Sequence, residues 1–177
     1  MDRVSDVRRE PGFQQWIAEL AGGEPFDWDA DGDDPEFLDW ITEVYAGNGA
    51  MPMELVNPLV FARRVELAQR ALQRIAARAE VDLGPLPGLT VVTTPPDALE
   101  PTGVVRVGGY GQRITGLTFA EVALTVADNV QEWVTHDRSR IWPVCPEHRR
   151  GLHPQSADGV PSWVCREVPH VVSPIID

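Results

Sequence analysis

Both cysteines of this chain, Cys145 and Cys165, and three of its four histidines, His148, His153 and His170, fall between Ile141 and His170. A stretch so rich in thiol and imidazole, and so broken by proline and glycine, has few apolar side chains with which to hold itself together. Thiolate and imidazole are the donors that Zn2+ prefers, and a Cys and a His separated by two residues on a Pro-containing turn can both aim at one ion. The five candidates are spaced C-x2-H-x4-H-x11-C-x4-H. A closed tetrahedral site needs four, so the segment over-supplies by one. One choice is Cys145, His148, His153 and Cys165; the other puts His170 in place of His153, giving two Cys/His pairs that face each other across a hairpin.

A structural zinc is the favoured reading of this segment. The alternatives are buried unliganded thiols, a disulfide, and a catalytic zinc of a small zinc-dependent hydrolase. Glu147 stands between Cys145 and His148, but neither H-E-x-x-H nor H-x-E with P-C-x-x-C is present, so no general base has a defined relation to the metal. No G-x-S-x-G surrounds any serine, and His136-Asp137 reads as the solvated end of a helix, where His is favoured by the dipole.

The rest of the chain reads as α+β. With 177 residues, 43% apolar and 24% charged, it fits one domain, or a domain with an appendage, around a real core. No run of about 18 apolar residues occurs, and the first residues lack the apolar centre of a signal peptide, so a cytoplasmic protein without a membrane segment is expected. In a reducing compartment the two cysteines are ligands sooner than a disulfide.

Charge divides the chain. Residues 1 to 55 hold 14 acids and 3 arginines, whereas residues 56 to 177 hold 13 acids and 12 arginines. An acidic face repels phosphate backbones, which excludes nucleic acid as its partner and leaves a solvated surface or a basic protein partner met by that face with Trp16, Trp28 and Trp40. Asp27, Asp29, Asp31 and Gly32 match the first positions of a calcium loop. The bidentate Glu is missing, because position 12 is Leu38, and a plain acidic capping loop is preferred.

Periodicity sets out the helices. Phe13, Trp16, Ile17 and Leu20 share one face of a first helix. Asp34-Pro35-Glu36 opens a second, with Phe37, Trp40, Ile41, Val44 and Tyr45 inward and Gly47-Asn48-Gly49 as the stop. Asn57-Pro58 reads as the start of a third that runs to about Ala79 or Val81. Its stripe is Phe61, Val65, Ala68, Leu72, Ile75, Ala76 and Ala79, with Arg63, Arg70, Arg74 and Arg78 on the other faces. Gly84-Pro85-Leu86-Pro87-Gly88 then divides an acidic helical region, 1–83, from an α+β region, 89–177, that carries the zinc-binding segment. Leu89–Thr94 is a strand. Val104–Val107 and Gln112–Thr115 form a hairpin about Gly108-Gly109-Tyr110-Gly111, which is no phosphate loop because it lies between strands. Thr118-Phe119-Ala120-Glu121 is a capping box for a fourth helix with Val122, Val126, Val130 and Trp133 inward. The expected fold is a helical N-terminal half, then a small antiparallel sheet with one packed helix and a zinc-clamped C-terminal hairpin.

The C-terminal segment resembles the signature of a family of small actinobacterial proteins, W-P-x-C-P-x-H, then H-P, then W-x-C. Trp142-Pro143-Val144-Cys145-Pro146-Glu147-His148, His153-Pro154 and Trp163-Val164-Cys165 carry the resemblance, which covers about residues 117 to 176. It implies His153 over His170, hence Cys145, His148, His153 and Cys165 as ligands, and it implies no activity. The expectation is a non-enzymatic interaction or regulatory protein.

Overall fold

The structure, a computed structural model, describes residues 7–21 and 34–176. Among them run helices α1 (Pro11–Ala21), α2 (Pro35–Asn48) and α3 (Met53–Leu83), strands β1 (Val91–Thr94) and β2 (Val104–Val107), helix α4 (Phe119–Arg138) and strands β3 (His153–Ala157), β4 (Val160–Cys165) and β5 (His170–Pro174). The protein is α+β, with a helical N-terminal half and strands towards the C-terminus. The acidic stretch with Asp27, Asp29, Asp31 and Trp28 lies outside the described residues.

Local signals form α2 and α4 as expected. Asp34 accepts the backbone N–H of Glu36 and Phe37 at 2.8 and 3.2 Å, and Gly49 ends α2 at φ 72°. In α4, Thr118 and Glu121 complete a reciprocal capping box. A cap is worth about 1 kcal/mol, whereas each fully buried aliphatic side chain contributes roughly 1.5–3 kcal/mol. Val122, Val126, Val130 and Val134 of α4 are fully buried, so the face and not the cap decides that this helix forms.

Two apolar clusters share α3. Its first turns carry Val56 and Val60 into a cluster with Phe13, Trp16, Leu20, Phe37, Ile41 and Leu117. From Leu67 onward it packs with α4 and with β1 and β2, in a cluster that also takes in Trp142 and Trp163. The clusters therefore meet between Val60 and Leu67, inside one helix, while the composition break lies at Gly84–Gly88. The helix also begins earlier than Asn57-Pro58 suggests. Burial of Val56 draws the turn before the proline into the helix, leaving Asn57 inside it with its Oδ1 unpartnered. The buried stripe includes Arg64, only 4% exposed, which sends Nε and Nη2 to the carbonyl of Thr115 at 3.0 and 2.7 Å.

The two sheets are small and separate. β2 pairs antiparallel with β1, Val91 opposite Val107, and the ladder expected with 112–115 is reduced to a bond from Ile114 N–H to the Val105 carbonyl at 2.8 Å. The physical reason is that side chains take over the backbone groups at the two ends of that segment. Asn129 of α4 binds both the N–H of Gln112 at 2.6 Å and its carbonyl at 3.0 Å, and Arg64 takes Thr115. Strands β3, β4 and β5 form an antiparallel meander whose first two strands pack on α4. Glu36 ties the halves together, accepting from Arg63 at 2.6 Å and from the Phe119 backbone at 2.8 Å.

Candidate metal centre

Two short loops supply the donors. The first, Pro143 to Leu152, folds back on itself. Leu152 N–H donates to Pro143 at 2.9 Å, Cys145 N–H to Arg150 at 2.8 Å, Arg149 N–H to Cys145 at 2.9 Å, and Val144 bridges Gly151. Arg149 sits at φ 56°, the left-handed conformation that closes the turn. Gln131 of α4 fastens both ends of this loop, its amide nitrogen donating to the carbonyls of Trp142 at 3.0 Å and Leu152 at 2.7 Å. Trp142 is pinned from the other side, its indole N–H reaching Asp82 at 3.0 Å, and its ring meets Trp163 edge-on at 5.6 Å. The second loop is the turn between β4 and β5, where Cys165 and His170 are direct cross-strand partners.

Together the loops bring Cys145, His148, Cys165 and His170 to one point, with all four donor atoms within 4.8 Å of one another. Among the described residues this is the one such group. His148 Nδ1 lies 3.5 Å from both sulfurs, and His170 Nε2 lies 3.8 Å from Cys145 Sγ. An ion with Zn–S of roughly 2.3 Å and Zn–N of roughly 2.0 Å at tetrahedral angles sets sulfur–nitrogen edges of about 3.6 Å, so these separations fit one metal at the centre. Both sulfurs are buried and both imidazoles half-buried. The cluster could hold a metal ion.

The surroundings prepare the donors. His170 Nδ1–H donates to the Val168 carbonyl at 2.7 Å, which leaves Nε2 as the free base facing the thiols and raises the imidazole pKa. Burial pushes the Cys145 thiol up, but the backbone N–H and imidazole of His148, the backbone N–H of Glu147 and the Cys165 thiol outweigh it and bring the pKa from 9.0 to about 7. A thiol so poised gives up its proton readily to a cation.

Of the four ligands expected from the sequence, Cys145, His148 and Cys165 come together and His153 does not. His153 stands on β3 directly opposite Val164. Cross-strand partners share a face and neighbours along a strand alternate, so His153 lies on the face opposite Cys165. It borders a cavity of about 340 Å3 against Asp128 and Glu132 of α4. His170, the substitute in the sequence reading, is the fourth member. Trp16, expected on an interaction face, is 2% exposed and donates to the Met51 carbonyl; Trp40 is half-buried, with Arg63 6.0 Å from its ring.

Comparison with protein-family models, curated proteins and solved structures returns no match. No helix among the described residues is long and apolar enough to cross a membrane.

Proposed function

We propose that this chain is a zinc-binding protein in which one Zn2+ is architectural, held by Cys145, His148, Cys165 and His170. The observation that carries the reading is the convergence of four Cys/His donor atoms within 4.8 Å, with sulfur–nitrogen separations of 3.5 to 3.8 Å. The two-thiol, two-imidazole donor set favours zinc over the hard cations that take oxygen ligands. Four protein donors complete a tetrahedral sphere without water, which favours a structural metal over the open site of a hydrolase. The zinc joins a loop tethered to α4 to the β4–β5 turn, doing for a proline-rich segment what a core would do elsewhere.

On this reading the chain is a cytoplasmic interaction or regulatory protein and not an enzyme. Both cysteines are free thiols, as ligands must be, and the acid-rich first third offers a surface for a basic protein partner. The test is elemental analysis of the purified protein, followed by replacement with Co2+. One zinc per chain, and the visible absorption of tetrahedral cobalt with thiolate charge transfer, are the expected results. Protein that is folded, metal-free and unable to take up cobalt overturns the reading.

A further inference from the structure

Beside the Cys/His cluster, between the second half of α3 and the segment that ends in Ile176, lies a groove of about 890 Å3. That volume is within the range of small-molecule sites, which are mostly apolar with a few placed polar groups. One wall is apolar, from Pro143, Val144 and Pro146 of the ligand-bearing loop to Val172 and Ile176, over the buried Trp142 and Trp163. The other wall is one face of α3, where Arg74, Arg78 and Asp82 follow at intervals of four residues. Asp82 is engaged by the Trp142 indole N–H, and Arg74 lies over the Phe119 ring at 5.4 Å. Arg78 has no hydrogen-bond or ion-pair partner among the described residues, and the lining sets two guanidiniums against one carboxylate.

We infer that this groove binds a small organic anion, a carboxylate, sulfonate or phosphate carried on a compact aryl body. Arg78, helped by Arg74, takes the charged group, since a guanidinium offers paired N–H donors to two oxygens of one anion. The apolar wall of Val144, Val172 and Ile176 covers the body. The two halves of the site suit two halves of one ligand: charge on the α3 side, hydrocarbon on the side of the metal loop. This assignment does not rest on the identity of the metal, and the protein is tested as purified with its metal content measured alongside.

The probe is 8-anilinonaphthalene-1-sulfonate, with N-phenyl-1-naphthylamine as the uncharged analogue of the same skeleton, each followed by fluorescence titration. The sulfonate should bind saturably at one site. Arg78→Gln should weaken it about tenfold, the loss of one charge-assisted contact, and the Arg74→Gln, Arg78→Gln pair more. The neutral amine should change less than about twofold in the same variants, and Arg106→Gln, an exposed arginine on β2, should change neither. Arg78 is exposed, so its variants should melt with the parent; Arg78→Glu provides a second reading in which repulsion removes sulfonate binding. Unchanged sulfonate affinity in Arg78→Gln, or an amine that binds as tightly as the sulfonate, overturns the inference. Displacement of the dye by an oligo-glutamate peptide at lower concentration than by 1-naphthoate reassigns the groove to an acidic peptide and overturns it as well.

Discussion

His153 and His170 differ by which face of a strand they occupy, and that parity separates a member of the Cys/His cluster from a bystander. Metal content of two variants reads it directly. His170→Ala should lose the metal or hold it at least about tenfold more weakly, while His153→Ala should keep the full complement. The parity was legible in the chain. Asp158 and Gly159 both have positive φ, a two-residue turn that pairs Ala157 with Val160 and so fixes every partner down the ladder, His153 with Val164 included. An Asp-Gly turn between two candidate ligands thus says which of them cannot share a face, a stronger signal than the resemblance that implied His153. His153 has a different consequence. Burial first, and the charge of Arg166 second, lower its pKa from 6.5, with Asp128 opposing. The unfolded chain therefore binds a proton that the folded one resists. Its contribution to stability is intact above about pH 6.5 and shrinks as pH falls towards the folded value. Urea unfolding between pH 7 and 5 should show His153→Gln losing less stability over that interval than the parent.

At the scale of elements, side chains from helices replace strand partners. Asn129 is wholly buried and reads both backbone groups of Gln112, and a Cβ on Gly111 would come within 2.5 Å of its amide carbon. Asn129→Ala should cost about 1–3 kcal/mol in denaturant unfolding, because two backbone groups lose their partner together, with little change in metal content. Helix positions were mostly legible, since caps and apolar periodicity are local. The start of α3 was not. Asn57-Pro58 has the form of a helix opening, and only the tertiary burial of Val56 makes the preceding turn helical. The same holds for Gln112–Thr115, whose spacing suits a strand but whose two end residues find backbone partners in the side chains of Asn129 and Arg64, far off in sequence, while Ile114 donates to Val105 of β2.

At the scale of the molecule, the loop of Cys145 and His148 is fastened to a helical core. α3, α4 and the β1–β2 pair form one packed body, and Gln131 and Trp142 hang the loop upon it. Chelation should therefore be selective. Helical circular dichroism should persist, amide exchange in β4, β5 and residues 143–152 should accelerate, and the melting midpoint should fall. With free metal about a thousandfold above its dissociation constant, the stability removed is on the order of 4 kcal/mol. Global loss of helix on chelation would place the metal in the nucleus of the fold instead.

The sequence by itself determined the fold class, the four helices of the described chain to within a turn or so, and three of the four members of the Cys/His cluster. Those follow from caps, periodicity and residue chemistry, all carried by near neighbours. Tertiary structure decided where two apolar clusters share α3, which strand β2 pairs with, and that His170 beside Cys165 meets the loop of Cys145 and His148. Each of these depends on which distant group meets a given backbone or face, and packing sets that meeting for the whole chain at once.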